Sequence, residues 1–93
     1  MITAIVLLNV ERDKVNSIAE TLANIAGITE VYSLAGVHDL GAIIRVKDND
    51  TMADLVTNHM LKIDGITKSE THMAFRVYSK HDLDSMFSIG MDN

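Results

Sequence analysis

Along residues 2–9, ITAIVLLN, the side chains of Ile2, Ala4, Val6 and Leu8 fall on one face of an extended chain and Ile5 and Leu7 on the other. Both faces of this predicted strand are apolar, so each needs cover, from helices, from a neighbouring sheet or from another subunit. The period then changes from two to 3.6. Val15, Ile18, Ala19, Leu22 and Ile25 make the stripe of a helix over residues 13–26, with Asp13 placed to cap its start, Gly27 its end, and Glu20 and Asn24 facing solvent. Two strands follow, residues 29–35 and 40–47, joined by the turn Gly36-Val37-His38-Asp39. Asp48-Asn49-Asp50 offers caps for a second helix, in which Met52, Val56, Met60 and Ile63 repeat helical spacing up to Gly65. A last strand is predicted over residues 68–79. It sets Thr71, Met73, Phe75 and Val77 on one face and His72, Ala74, Arg76 and Tyr78 on the other. Beyond it Leu83, Met86 and Phe87 allow one or two amphipathic turns.

The chain also matches itself. An offset of 38 positions lays Ala4-Ile5 on Ala42-Ile43, Ile25 on Ile63, and Gly27-Ile28-Thr29 on Gly65-Ile66-Thr67 without a gap. Two βαβ halves joined by a hairpin make the α+β, ferredoxin-like split βαβ arrangement (βαββαβ), a four-stranded antiparallel sheet with both helices on one face, followed here by a short helical tail. In that topology the second sheet face keeps Ile5, Leu7 and Ile43 or their opposites. A monomer rarely leaves such a patch in water, so a dimer or larger homo-oligomer is expected.

Composition narrows the function. Ninety-three residues, 47% of them apolar, suit one domain with one small core. The first eight residues are apolar but far short of the ~20 needed to span a membrane, and no basic segment precedes them; a soluble, cytoplasmic protein is expected. With 8 Lys+Arg against 13 Asp+Glu, a net charge of −5 and no basic cluster, direct nucleic-acid binding is not expected. The absence of cysteine removes disulfides, thiolate nucleophiles and cysteine zinc sites.

The turn is the candidate functional centre. Gly36 can adopt positive φ, the Asp39 carboxylate can accept turn N–H groups, and a turn held by two strands presents its N–H groups rigidly to a small polar ligand. The same residues also suit an ordinary structural turn. His38, His59, His72 and His81 show no close metal-ligand spacing, and no nucleophile pairs with a base, so no metal, cofactor or catalytic residue is assigned. Asp48-Asn49-Asp50 lacks the glycine and glutamate of a calcium loop.

Residues 1–79 resemble the ligand-binding module of the Lrp/AsnC family of bacterial and archaeal transcription regulators, often called the RAM domain. The resemblance rests on Ser33-Leu34-Ala35-Gly36-Val37-His38-Asp39-Leu40, matching the family's Gly-x-x-Asp turn, on Ala42-Ile43-Ile44-Arg45-Val46, and on Gly65-Ile66-Thr67-Lys68-Ser69-Glu70-Thr71. Residues 80–93 resemble an extension found on some single-domain relatives. Two departures are visible: the helix-turn-helix of full regulators is absent, and His38 stands where they commonly carry an aromatic or another residue. The resemblance implies a non-enzymatic sensory module that forms dimers and rings of dimers and binds an amino acid or similar metabolite between them. It would act on transcription as a homo-oligomer or with full-length Lrp/AsnC regulators. It further implies a pocket built from Gly36, Val37, His38 and Asp39 together with Thr71, His72 and Met73. A small ferredoxin-like enzyme and a purely structural oligomerisation module are the competing readings.

Overall fold

The computed structural model describes residues 1–78 and 80. Strand β1 (Ile2–Val10) leads through a tight 3₁₀ turn, Arg12–Lys14, into helix α1 (Val15–Ala23). Strands β2 (Ile28–Ser33) and β3 (Leu40–Val46) form the hairpin. Helix α2 (Asn49–Asp54) continues as a π-helical segment, Leu55–Met60, and strand β4 (Ile66–Ala74) closes the sheet. The four strands are antiparallel in the order β2-β3-β1-β4, with both helices on one face, as the βαββαβ reading requires.

The core lies between that face and the helices. Ala4, Val6 and Leu8 of β1 and Leu40, Ala42 and Ile44 of β3 are fully buried there, against Ile18 and Leu22 of α1 and Met52, Leu55 and Met60 of the second helix. Val15, Ala19 and Ile25 complete the predicted stripe at its half-buried edges, while Glu20 and Asn24 are exposed.

The two halves share detail that self-similarity only hinted at. Gly27 and Gly65, 38 positions apart, have φ of +99° and +103°. A Cβ on Gly27 would sit 2.7 Å from Leu55 Cδ1, and one on Gly65 would sit 2.9 Å from Ile18 Cδ1, so each glycine lets the other half's helix approach the strand start. Just beyond, the register slips at Thr29 and again at Thr67. Each threonine hydroxyl donates to a carbonyl of the neighbouring strand, that of Ile43 or Asn9.

Four local expectations change. Asp13 lies inside the 3₁₀ turn, closed by the Lys14 N–H donating to the Glu11 carbonyl, and α1 begins without a side-chain cap. Asp48 does cap α2, accepting the Thr51 N–H at 2.8 Å. That helix widens after Asp54, where the Leu61 N–H bonds the Val56 carbonyl five residues back. On an α-helix Leu55 and Met60 would point about 140° apart; the wider ladder lets both reach the core. Strand β4 ends at Ala74, opposite Thr3, one residue short of the start of β1 at Ile2, and Phe75 is wholly exposed. Finally, β2 stops at Ser33, so six residues, 34–39, connect the hairpin. The predicted turns at Leu83, Met86 and Phe87 lie outside the described residues. Among the described residues no helix is long and apolar enough to cross a membrane.

Candidate functional site

The 34–39 connection is closed by the Leu34 N–H donating to the Asp39 carbonyl and is tied to the sheet by the Asp39 N–H donating to the Leu8 carbonyl. The Asp39 carboxylate accepts an N–H, as expected, but from strand β1: Val10 N donates to Oδ2 at 2.9 Å, where the β1 ladder would otherwise leave that donor free. Gly36 takes φ +128° with open space where a side chain would be, and Val37 is 84% exposed. Among the described residues, the N–H groups of Gly36, Val37 and His38 have no hydrogen-bond partner. A second tether comes from Asn9, whose Nδ2 donates to the Val37 carbonyl at 2.7 Å while its Oδ1 faces His38 Nδ1 at 3.3 Å.

On β4 the pleat separates the predicted residues. Thr71 pairs with Val6 and Met73 with Ala4, so both lie on the helix side, beyond the cover of α1 and α2, and Met73 is half exposed. His72 pairs with Ile5 and lies on the open side. There it meets His38 through Glu70, whose Oε2 is 3.5 Å from His38 Nε2 and 3.4 Å from His72 Nε2. The structure therefore brings together the loop, His38 and His72, and sets Thr71 and Met73 on the opposite surface. Glu70 and Asn9 escaped the sequence reading, although each had a signal. Asn9 is the polar residue that closes the apolar run Ala4-Ile5-Val6-Leu7-Leu8, and Glu70 stands two residues from His72, hence on the same face.

Around this cluster the open face is mostly apolar. One row runs Tyr32, Gly41, Leu7, Glu70 and the next Glu30, Ile43, Ile5, His72. Gly41 makes room for Leu34: a Cβ there would lie 3.2 Å from Leu34 Cδ1, which folds back over the sheet beside Leu7. On the helix side, a shallow groove of about 240 Å³ lies between Ile25 and Ala26 and the second helix, at Thr51, Asp54, Leu55 and His59. The Asp54 carboxylate there is held below its ordinary range, chiefly by the Asn58 side-chain amide, with His59 Nε2 at 3.4 Å. Among the described residues no three His, Asp or Glu side chains are arranged to hold a metal ion.

Comparison with known proteins places this geometry. The model of the Lrp/AsnC ligand binding domain matches residues 3–83. The HTH-type transcriptional regulator LrpA of Pyrococcus abyssi is 38% identical over 56 residues, which are 60% of this chain and 40% of that protein. LrpA1 of Halobacterium salinarum is 31% identical over 69% of this chain and 45% of its own length. The chain thus spans less than half of either regulator. Among solved structures, TTHA0845 from Thermus thermophilus superimposes with a TM-score of 0.80 at 39% identity, over 86% of this chain and all of that one. Escherichia coli AsnC shares the fold, with a TM-score of 0.77 at 16% identity over 84% of this chain and 53% of that one. The βαββαβ sheet, the tethered glycine-aspartate loop and the match over residues 3–83 converge: this chain belongs to the Lrp/AsnC ligand-binding domain family.

Proposed function

We propose that the chain is the effector-sensing unit of a transcription-control system, binding an amino acid or a similar small metabolite beside the 34–39 loop. The family is one of non-catalytic, effector-binding regulatory domains. The observation that carries the reading is the loop itself. It is exposed at Gly36 and Val37, yet Asn9 and Asp39 pin it to β1 from both sides, so its free N–H groups are presented in one geometry. A ligand carboxylate takes the N–H groups of Gly36, Val37 and His38. Asp39 holds the loop through Oδ2 and keeps Oδ1 for the ligand, and His72 approaches from the open face. Thr71 and Met73 contribute where β4 meets another subunit. A protein of the same fold, NMB0573 of Neisseria meningitidis, is described as a complex with L-Met, which makes L-methionine a rational first ligand.

Assembly uses the open sheet face, whose apolar rows have no helix over them among the described residues. The unit works as a homo-oligomer, a dimer or a ring of dimers, or by joining full-length Lrp/AsnC regulators that supply the DNA contact. A thermal-shift screen of the common amino acids tests the sensing role, since a ligand at 100 times its Kd adds about 2.7 kcal/mol to stability. Light scattering tests assembly. A chain that stays monomeric at micromolar concentration and melts identically with every amino acid overturns the proposal.

A further inference from the structure

We propose that the groove on the helix side, between Ile25-Ala26 and the second helix, receives a lysine side chain of a partner protein, with its ammonium group at Asp54. The proposal is independent of the 34–39 loop and of the open sheet face.

The two halves of the fold differ at one seam. Gly65 and Gly27 each lie against a buried residue of the opposite half's helix, Ile18 for the first and Leu55 for the second. One helical turn before Ile18 stands Lys14, and one turn before Leu55 stands Thr51; ahead of Gly65 stands Asp64, and ahead of Gly27 stands Ala26. At Gly65 the lysine closes the seam. Its stem lies so close that a Cβ on Gly65 would sit 2.8 Å from Lys14 Cδ, and its Nζ reaches Asp64 Oδ2 at 3.0 Å and Glu11 Oε2 at 3.4 Å. Gly65 is buried as a result. At the other seam Thr51 is too short to cross and Ala26 has no carboxylate. Gly27 is left part-exposed, and a groove of about 240 Å³ opens beside it, lined by Ile25, Ala26, Thr51, Asp54, Leu55 and His59.

The Gly65 seam therefore shows what fits the Gly27 seam: an aliphatic stem over an apolar wall, ending in an ammonium group on a carboxylate. Ile25, Ala26 and Leu55 supply the wall and Asp54 the carboxylate. The Asn58 amide donates to Asp54 Oδ1 at 2.7 Å and favours the ionised form, while His59 Nε2 lies 3.4 Å from Oδ2. A carboxylate has about four lone-pair sites, so an ammonium group fits beside both neighbours. The groove is smaller than the roughly 300–1,000 Å³ of pockets for whole metabolites, which favours a single side chain as occupant. Lysine suits a groove open to water, because its stem covers apolar surface while its charged end stays hydrated. The net charge of −5 favours the approach of a basic partner.

The test compares two probes of the same shape, Nα-acetyl-L-lysine N-methylamide and its norleucine counterpart, titrated into the full chain by NMR at neutral pH. The lysine probe should move the signals of Ala26, Thr51 and Leu55 and bind about two- to fivefold more tightly than the norleucine probe, the range of an exposed ion pair. Asp54→Asn keeps an acceptor for Asn58 and should bring the two probes level. Thr51→Lys combined with Ala26→Asp transplants the Lys14–Asp64 pair and should abolish binding of both probes while the signals of the 34–39 loop stay in place. Equal affinity for the two probes in the unaltered chain, or undiminished binding in the transplanted variant, overturns the proposal. So does binding of n-butylammonium without binding of the capped lysine, which makes the groove a site for free amines. A fall in light-scattering mass on transplanting the pair overturns the choice of partner, since the lysine then belongs to a second copy of this chain.

Discussion

The two faces of this sheet are built from the same strands and nearly the same residue types, yet only one belongs to the core. On the helix side Val6, Leu8, Leu40 and Ile44 are fully buried, whereas one residue away on the open side Ile5 is 41% exposed, Leu34 39% and Tyr32 49%. Hydropathy alone does not distinguish them. What differs is what lies alongside: two helices on one side, and on the other the polar set Asn9, His38, Glu70 and His72 at the end where the loop is tethered. One face carries the core that stabilises the chain, and the other stays partly exposed.

The comparison is broken most directly by truncating neighbours across it. Leu8→Ala should cost about 2–5 kcal/mol, because a fully buried leucine leaves a cavity under the helices. Ile5→Ala should cost about 1 kcal/mol or less in the monomer while weakening self-association. Urea denaturation and light scattering on the same pair of variants read both effects. Equal destabilisation would mean that the open face belongs to the folding core.

Gly65→Ala comes next. It combines an L-residue at φ +103° with a Cβ 2.8–2.9 Å from Lys14 and Ile18, so a loss of about 1–3 kcal/mol is expected, with a comparable loss for Gly27→Ala. Asp39 sharpens the boundary between the faces. Asp39→Ala should destabilise by about 1–2 kcal/mol through the stranded Val10 N–H, whereas Asp39→Asn keeps an acceptor and should fold with little change. On the helix layer, Asp48→Ala should cost about 1 kcal/mol in thermal unfolding by removing the α2 cap.

The smallest effect is the acid limb of stability. Hydrogen bonds from Thr51 hold the Asp48 carboxyl below its ordinary value, the Asn58 amide does the same for Asp54, and Lys14 for Asp64. Depressed carboxylates stabilise above their unfolded pKa and lose that contribution as pH falls through the folded values, so melting temperature should decline below about pH 4. The Lys14 ammonium is shifted the other way, mainly by its hydrogen bond to Asp64, so its contribution is present below about pH 10.4 and is lost at higher pH. All four groups are solvent-exposed, and 0.5 M salt should flatten both limbs. Melting curves across pH at low and high salt check this.

Much of the fold was legible because its signals are local or periodic. The stripe Val15, Ile18, Ala19, Leu22, Ile25 needs only helical spacing, Asp48 caps through a neighbour three residues on, and Gly27 and Gly65 announced themselves by recurring 38 positions apart. The elements read less well are those decided by distant partners. Asp13 came to lie inside a 3₁₀ turn, β4 ended opposite Thr3, one residue short of the start of β1, and the second helix widened to bury Leu55 and Met60 together.

The same division runs through the candidate site. Gly36, Val37, His38 and Asp39 could be chosen from the sequence because turn chemistry is a short-range property, whereas Thr71, His72 and Met73 came only from the family resemblance, and the pleat sets His72 on one face and the other two on the opposite one. Sequence order could not show that Asp39 would bond Val10, 29 positions away, or that Asn9 would orient the His38 ring. Nor could it show that Glu70 would stand between two histidines, one of them from the far hairpin. By itself the sequence determined the secondary elements, their order and the apolar character of both sheet faces. Tertiary structure decided which face the helices would cover and which polar groups would meet on the other, because hydrogen-bond direction and strand register exist only once separate segments are brought side by side.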